Sequence, residues 1–506
     1  MLTRSAARGA GLTLAASLVG RVAAAVAQVV TGLFLVQDQF GYYASAIGLL
    51  TMAGLFRGGS IQLYLGTLAP SRRRFRTGTV FWVSMSLYLV GLVPLLFAAP
   101  AIARHLEAPS VVPLIWIITG TTLQVPFRSV LRSRLNTRFR FGAGAVAQVV
   151  NDSIVSILTI ILAIVLQNAL ALAIPVFVGG LVEVLLLVRM AGPHRTDFIP
   201  RRRFVGPVLF HMRWLIGVSA MMSLWTSGDY AVAEFLVPTS ILGGYYFGYQ
   251  LAVQPGRLFN VSMMNVLVPV VRRVAHDPTR LRSALQRMLG LGGFAITLIN
   301  VALLGLIEPV ERMVWNGRWT DVVTAVQILT IGLSFASLFN MATAPFMAER
   351  RYREALLCNG LRALGIVGGA AIGSVVGGTV NSIAAWVSGM MTVSSLLGIA
   401  WIVRGYGVRA SPLIVHIMRC TVPVILAAGV AAFAGSQGLV LLGAGRVPAA
   451  GATAIAGITL VIATAIALFV IPGTVRNQMF DLAPARLRHR LPNAFRPRGS
   501  NLDSTS

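Results

Sequence analysis

Long apolar runs separated by short polar stretches repeat along almost the whole chain. Most runs match or exceed the roughly 20 residues that an α-helix needs to cross the hydrocarbon of a bilayer. We predict about fourteen membrane helices, over residues 10–36, 41–68, 78–103, 111–131, 142–166, 169–190, 206–229, 240–270, 288–308, 321–346, 358–379, 382–403, 419–442 and 449–472. The pattern therefore predicts an all-α polytopic membrane protein.

The polar stretches alternate in charge along the chain. One set is basic: SRRRFR (71–76), RSRLNTRFR (132–140), RRRF (201–204), RRVAHDPTRLRSALQR (272–287), ERRYR (349–353), the stretch around Arg404 and Arg409, and the tail from Arg476. The other set is very short or carries acids, as in HLEAPS (105–110). Because basic loops stay in the cytoplasm, both termini are expected to be cytoplasmic, which requires an even number of helices.

The composition supports this interpretation and excludes several classes of protein. Hydrophobic residues make up 56% of the 506 positions and charged residues only 11%, which no ordinary soluble domain matches. The net charge of +27 lies in the clusters between apolar runs, so it indicates orientation in a membrane and not nucleic-acid binding. All 42 basic residues are arginine, which excludes a phosphate-binding Walker lysine and Schiff-base chemistry. We find no histidines at metal-ligand spacing, and we expect Cys358 and Cys420 to be free thiols.

Two pairs of similar segments indicate an internal duplication. FGYYASAIGLL at 40–50 resembles GGYYFGYQLAV at 243–253, and IITG at 117–120 resembles ILTIG at 328–332. This predicts two six-helix lobes of the same orientation around a central cavity, followed by two extra helices. The predicted domains are an N-terminal lobe (1–193), a cytoplasmic linker (194–205), a C-terminal lobe (206–404), an extra helix pair (405–475) and a basic cytoplasmic tail (476–506).

Three arginines lie near the middle of predicted helices: Arg21, Arg57 and Arg257. An arginine at the bilayer centre costs about 3 kcal/mol or more, so such residues normally face a cavity or a partner. Pairing with an acid or snorkelling to the headgroups is the alternative for each one. Because intramembrane acids are fewer than these arginines, we expect a net positive cavity that favours an anionic substrate, and guanidinium groups suit phosphate oxygens. Pro255 predicts a bend before Arg257, which either aims that arginine inward or serves packing.

Helix 5 carries a polar face formed by Gln148, Asn151 and Asp152. Asp152 is interpreted as the counter-ion of a buried arginine, with a protonatable coupling site as the alternative. Glu183 in helix 6 is a weaker candidate for the same roles. Three other acids lie near the outer ends of helices and are expected to be solvated: Asp38, Asp229 and Glu234.

A ridge of glycines every four residues runs along helix 11: Gly365, Gly369, Gly373 and Gly377. Small residues at this spacing let two helices approach closely, so the ridge predicts helix packing.

Four segments carry a resemblance to a known family: LVGRVAAAVAQVVTGLFLVQDQFGYYASA (18–46), LLFAAPAIARHLEAPSVVPLI (95–115), VLRSRLNTRFRFGAGAVAQ (130–148) and GSVVGGTVNSIAAWVSG (373–389). In their order and spacing they resemble the Wzx-type polysaccharide (O-antigen) flippases of the multidrug/oligosaccharidyl-lipid/polysaccharide (MOP) exporter superfamily. The resemblance covers nearly the whole chain as an architecture. It implies two lobes with helices 1, 2, 7 and 8 lining the cavity, in the bacterial cytoplasmic (inner) membrane.

The resemblance also implies an activity and a site. Members move an undecaprenyl-diphosphate-linked oligosaccharide from the inner to the outer leaflet by alternating access. In the related lipid II flippases, cavity arginines come from helices 1, 2 and 8, which Arg21, Arg57 and Arg257 match by helix and approximate depth. These arginines would hold the diphosphate. Four polar residues are candidates for sugar binding: Gln28, Gln148, Asn151 and Gln250. Many members have twelve helices, so the extra pair is a departure, and in the lipid II branch that pair forms a groove for a lipid tail.

The expected partners are the lipid-linked glycan, membrane lipids, and the polysaccharide polymerase and glycosyltransferases of the same pathway. We expect no nucleic acid, no metal and no cofactor, and the sequence leaves open whether a proton or a sodium ion drives transport. The absence of a nucleophile elbow, metal box or nucleotide fold predicts a transporter and not an enzyme. Two alternatives are a multidrug exporter of the same superfamily, which the arginines disfavour, and a membrane polysaccharide polymerase or ligase, which the short outer loops disfavour.

Overall fold

The computed structural model describes residues 20, 22–54, 61–68, 70–105, 108–138, 140–274, 277–349, 351–443, 445–471 and 473. Within them the chain forms helices and no strands. The helices are α1 (Val22–Phe34), α2 (Gln37–Ala53), α3 (Ile61–Thr67), α4 (Pro70–His105), α5 (Val111–Leu123), α6 (Val125–Thr137), α7 (Phe141–Leu166), α8 (Leu170–Ala191), α9 (Val205–Ala233), α10 (Thr239–Val274), α11 (Pro278–Trp315), α12 (Thr320–Ala342), α13 (Ala344–Glu349), α14 (Tyr352–Val376), α15 (Val380–Gly405), α16 (Ala410–Leu442) and α17 (Arg446–Val470).

The prediction of an all-α membrane protein is confirmed. Among the described residues, 11 helical stretches are long and apolar enough to cross a membrane. α1 is apolar but shorter, and neither α2 nor α10 is among the 11 stretches. The count of about fourteen therefore stays a prediction.

Several basic stretches that the sequence predicts as loops are helical instead. SRRRFR belongs to the start of α4, and RSRLNT completes α6. α11 begins at Pro278, ten residues before the predicted start, where the Asp277 carboxylate accepts hydrogen bonds from the backbone N–H groups of Thr279 and Arg280 at 3.0 and 3.2 Å. Arginine is a good helix former, so these helices continue past the apolar run that the hydropathy pattern detects.

The chain divides into two compact units. Unit 1 comprises Met1–Gln254 and Arg350–Met390, and unit 2 comprises Pro255–Glu349 and Met391–Ser506. In unit 1, α2 packs on α5 and α9, α7 packs on α8, and α9 packs on α14. In unit 2, α11 packs on α12, α16 and α17. The five predicted domains stay a prediction.

The two longer segments of the predicted repeat pack against each other in unit 1. A Cβ atom at Gly41 of α2 would overlap the carbonyl group of Thr239, and one at Gly243 of α10 would overlap the carbonyl group of Gln37. The ring of Phe40 lies 5.0 Å from the ring of Phe247. Only glycine allows two backbones to approach so closely, so these positions fix how α2 meets the first part of α10.

The glycine ridge on α14 faces the start of α15 in unit 1. A Cβ at Gly369 would lie 2.7 Å from the Trp386 carbonyl oxygen, and one at Gly373 would lie 2.7 Å from the Ile383 Cα. A Cβ at Gly377 would overlap the Ser382 side chain. Gly365 is half-buried on the same helix. Three of the four predicted ridge residues therefore lie where a larger side chain would separate two helices.

The core of unit 2 lies where α11, α16 and α17 meet. Val301, Cys420 and Val424 are fully buried there, together with Leu460 of α17. Cys420 and Cys358 are both buried free thiols. The extra helices α16 and α17 are thus packed against α11 along an apolar surface.

Candidate functional site

A buried carboxylate joins α6 to α8 in unit 1. The Glu183 side chain on α8 is 1% exposed and contacts two arginines one turn apart on α6. Arg128 Nη1 lies 3.2 Å from Glu183 Oε2, and Arg132 Nε donates to Oε1 at 2.9 Å. The two arginine side chains keep 21% and 27% of their surface exposed. Glu183 therefore serves as counter-ion to a pair of partly accessible guanidinium groups.

The same network continues onto α7. Arg132 also donates to Gln148 Oε1, and the Gln148 amide donates to Asp152 Oδ1 at 2.6 Å. The Asn151 amide donates to the same oxygen at 3.0 Å. Asp152 Cβ would lie 3.2 Å from a Cβ at Gly20. The structure thus brings together four predicted site residues, Gln148, Asn151, Asp152 and Glu183, and adds Arg128 and Arg132.

Asp152 accepts two amide hydrogen bonds but contacts no guanidinium group among the described residues. Its predicted partners are the buried arginines. Arg21 and Arg57 both lie outside the described residues. The counter-ion role of Asp152 therefore stays a prediction.

The remaining predicted residues lie on α1 and α10. Gln28 is half-buried, and its amide nitrogen has no hydrogen-bond partner among the described residues. Gln250 is half-buried in the part of α10 that belongs to unit 1.

Arg257 is exposed and lies at the middle of α10, a 36-residue helix that the sequence predicts to cross the membrane. At 1.5 Å per residue it is about 27 Å from the start of α10 and about 26 Å from its end. α10 remains helical through Pro255 and Gly256. Because a guanidinium group in hydrocarbon is costly, an exposed arginine at this depth is expected to face water or a ligand.

A buried polar pair on α11 lies beside the backbone that carries Arg257. A Cβ at Gly256 would lie 2.8 Å from Asn300 Oδ1, and Asn300 is fully buried. Neither amide atom of Asn300 nor the Thr297 hydroxyl has a hydrogen-bond partner among the described residues. This part of unit 2 therefore holds unused hydrogen-bonding capacity.

Sequence reasoning missed both arginines. Arg132 fell in a predicted loop because the fourth predicted helix ended at residue 131, whereas Arg128 lay near the end of that helix and was not considered as a site residue. A signal was present: no glycine or proline occurs between Phe127 and Phe141. A helix continued through this segment places Arg128 and Arg132 on one face, four residues apart.

The expectation that Asp229 and Glu234 are solvated is wrong. Asp229 is 1% exposed and accepts a hydrogen bond from the Tyr245 hydroxyl at 2.7 Å. Glu234 is 7% exposed and accepts one from the Ser45 hydroxyl of α2. Burial raises the pKa of Glu234 to about 7. Aromatic side chains of α9 and α10 cover these acids, which hydropathy cannot reveal. Asp38 is exposed as expected.

Sequence reasoning also did not predict a buried arginine on α14. Arg362 on α14 is 1% exposed, and its guanidinium carbon lies 3.9 Å above the ring of Trp225 on α9. The stacking of a cation on an aromatic face partly offsets the loss of hydration. Arg362 therefore helps to join α9 to α14, the two helices that bear Asp229 and the glycine ridge.

A hydroxyl-lined cavity of about 320 Å³ opens among α2, α5 and α9. Its polar lining consists of Thr51, Thr122, Ser223, Thr226 and Ser227. Thr122 and Thr226 donate their hydroxyl protons to their own helices at 2.8 and 2.6 Å, so their oxygen lone pairs remain available as acceptors. An uncharged lining of this kind can bind sugar hydroxyl groups. The described residues contain no cluster of three His, Cys, Asp or Glu side chains that could hold a metal.

Comparison with known proteins identifies a protein family that matches this chain. A family model described as polysaccharide biosynthesis protein matches residues 29–324, more than half of the chain. The lipopolysaccharide biosynthesis protein WzxC of Escherichia coli (strain K12) is 22% identical over 60% of this chain. The chain spans 62% of the length of WzxC. The succinoglycan biosynthesis transport protein ExoT of Rhizobium meliloti (strain 1021) is 24% identical over 76% of this chain and 79% of its own.

Solved structures show the same fold. Lipid II flippase MurJ in an inward closed conformation aligns with a TM-score of 0.69 over 90% of this chain and 98% of its own, at 13% sequence identity. At this identity the likeness establishes fold alone. The family match and this fold confirm the resemblance noted in the sequence: the chain belongs to the polysaccharide biosynthesis protein family, and its fold is that of the MOP exporter superfamily.

Proposed function

We propose that this protein is a flippase that moves an undecaprenyl-diphosphate-linked oligosaccharide from the inner to the outer leaflet by alternating access. The observation that carries the proposal is Arg257, an exposed residue at the middle of a 36-residue helix, which the sequence predicts to cross the membrane. A diphosphate is the anion that every such substrate shares, and a guanidinium fork matches its oxygens. The names of ExoT and MurJ, a transport protein and a lipid flippase, favour the same activity.

Under this proposal the charged and the sugar-bearing parts of the substrate contact different residues. Arg257, together with Arg21 and Arg57, would bind the diphosphate. The sugars would contact amide and hydroxyl groups, for which Gln28, Gln250 and the hydroxyl-lined cavity are candidates. Gln148 and Asn151 already hydrogen bond to Asp152, so we assign them to holding that carboxylate before we assign them to the glycan.

The test is translocation of a labelled undecaprenyl-diphosphate oligosaccharide in proteoliposomes. Arg257→Gln is expected to slow transport at least about ten-fold, because one charged hydrogen-bonding partner of the phosphate is lost. Arg21→Ala is expected to abolish transport while the protein level stays unchanged. The matched control is Arg213→Gln. Arg213 is also exposed, but it lies about 12 Å from the start of α9 and stacks on Phe210 at 3.9 Å, so transport should persist.

Three outcomes would count against the proposal. Loss of folded protein in Arg257→Gln would indicate a structural role for this arginine. Equal transport by Arg257→Gln and Arg213→Gln would remove Arg257 from the substrate site. No transport by inserted native protein, with several glycans and an imposed proton or sodium gradient, would favour a multidrug exporter or a polysaccharide polymerase or ligase instead.

A further inference from the structure

A second polar cavity lies in an arginine-rich part of unit 1, and its lining includes none of the residues assigned to transport. Its volume is about 460 Å³, and it lies between the start of α4, the end of α6 and the 3-10 turn Arg195–Phe198. Three arginines line it: Arg73, Arg134 and Arg138. The lining also includes His194, one carboxylate, Asp197, and the hydroxyl groups of Thr77, Ser133 and Thr137.

Each arginine is held in place by a carbonyl group at the end of a helix. Arg73 donates from Nε to Leu65 O at 2.9 Å and from Nη2 to Leu68 O at 2.8 Å. Arg134 and Arg138 both donate to Ala191 O, the last residue of α8, at 3.1 Å. These bonds order the guanidinium groups before any ligand arrives, so binding would cost little side-chain entropy.

The arginines retain donors after these contacts. A guanidinium group has five N–H donors, and each of the three uses only one or two of them on described residues. Asp197 accepts from Arg134 and from the backbone N–H of His194. Three guanidinium groups against one carboxylate leave two uncompensated positive charges, even with His194 neutral.

We propose that this cavity is a binding site for a phosphate group. Two excess positive charges match a phosphate dianion, and arginine forks bind its oxygens with two parallel hydrogen bonds. The Thr77 and Thr137 hydroxyl groups already donate to the carbonyl oxygens of Arg73 and Arg134 at 2.8 Å, so among the lining hydroxyls Ser133 is the one that can add a donor. Because arginine-rich ends of membrane helices lie at the cytoplasmic surface, the phosphate is either a free anion or part of an anionic phospholipid headgroup. The site is independent of the proposed transport of a glycan.

The test measures thermal unfolding of the purified full-length protein in detergent. One arm adds inorganic phosphate, with sodium chloride at equal ionic strength as its reference. The other arm adds dihexanoyl phosphatidic acid, with dihexanoyl phosphatidylcholine, whose headgroup has no net charge, as its reference. Saturable stabilisation by phosphate identifies a free-anion site, and stabilisation by phosphatidic acid alone identifies a headgroup site.

Arg138→Gln and Arg140→Gln form a matched pair of variants. Both arginines are exposed, and both donate to a carbonyl at the end of α8, Arg138 to Ala191 and Arg140 to Met190 at 3.4 Å. Only Arg138 lines the cavity. Arg138→Gln should weaken the apparent affinity at least about ten-fold, and Arg140→Gln should leave it unchanged.

Arg138→Lys is a third variant. It keeps the positive charge but lacks the two parallel N–H donors of the guanidinium group. We expect intermediate affinity, and this variant tests the site even if the neutral one does not fold. The proposal is overturned if neither phosphate nor phosphatidic acid gives saturable stabilisation of the native protein. It is equally overturned if Arg138→Gln and Arg140→Gln bind with the same affinity.

Discussion

Glu183 is the residue on which the charged network of unit 1 depends. Its carboxylate is almost fully buried, whereas both arginines that it contacts keep a fifth to a quarter of their side chains exposed. Two neighbouring guanidinium groups without this carboxylate would repel each other in a poorly hydrated place. We therefore regard Glu183 as the residue that keeps Arg128 and Arg132 together on α6.

Glu183→Gln should lower the stability of the folded protein by about 3 kcal/mol. Removal of one member of a buried ion pair leaves uncompensated charge, and the partial exposure of both arginines keeps the cost near the lower end of the usual range. The measurement is the midpoint of thermal unfolding in detergent, compared with the native protein.

Glu354→Gln is the control for this change. Glu354 also pairs with an arginine, Arg351, at 3.1 Å, but both side chains are about one-third exposed. Solvent screens such a pair, so its loss should cost no more than about 1 kcal/mol. If the two variants unfold at the same temperature, Glu183 does not hold the arginine pair together.

Among the helices, α14 and α15 offer the sharpest test of packing. Gly373→Ala should destabilise the protein by about 1 to 3 kcal/mol, because the added Cβ would lie 2.7 Å from the Ile383 Cα and 2.8 Å from the Ser382 carbonyl oxygen. Backbone atoms cannot move aside as a flexible side chain can. Thermal unfolding in detergent measures the effect.

The same helix supplies the control for this substitution. Gly368 is also in α14, and apart from its chain neighbours and the local helix backbone no described atom lies within 4 Å of a Cβ built there. Gly368→Ala should be neutral or stabilise by up to about 1 kcal/mol, since alanine is the better helix former. Equal destabilisation by both alanines would show that close approach at Gly373 is not the cause.

The helices also show what could be predicted from sequence. Apolar runs and charge alternation predict the helical membrane architecture because burial in lipid leaves few other solutions. The glycine ridge could be predicted as packing because its spacing of four matches one helix face. The starts of α4 and α11 and the end of α6 could not be located by hydropathy, because their terminal turns are polar and extend beyond the apolar run.

The candidate site was harder to predict, and α6 and α9 show why. Hydropathy places Arg128 near the end of a predicted helix, Arg132 in the loop that follows, and Asp229 at a solvated helix end. Their environments depend on tertiary neighbours: Glu183 lies 51 residues after Arg132, and Tyr245 lies 16 residues after Asp229. A sequence pattern records the spacing along one helix but not the partner across the interface.

For the molecule as a whole, the distribution of arginines along the chain predicts which helix ends lie in the cytoplasm. The side-chain contacts do not predict this orientation. Helices that end in basic turns, such as α6 and α8, should place those ends in the cytoplasm. The stretch between α16 and α17 should then lie outside, and the tail inside, if the number of spans is even. The arginines of the phosphate cavity would face the cytoplasm under this arrangement.

Cysteine labelling in intact cells tests this orientation. The chain has two cysteines, Cys358 and Cys420, and both are buried. Their replacement by serine gives a protein without thiols, which a membrane-impermeant maleimide cannot label. Arg446→Cys, at the exposed start of α17, should be labelled from outside, and Ser504→Cys should be labelled only after the membrane is permeabilised. Because the two positions flank α17, labelling of both from outside would mean that α17 does not cross the membrane and that the tail is not cytoplasmic.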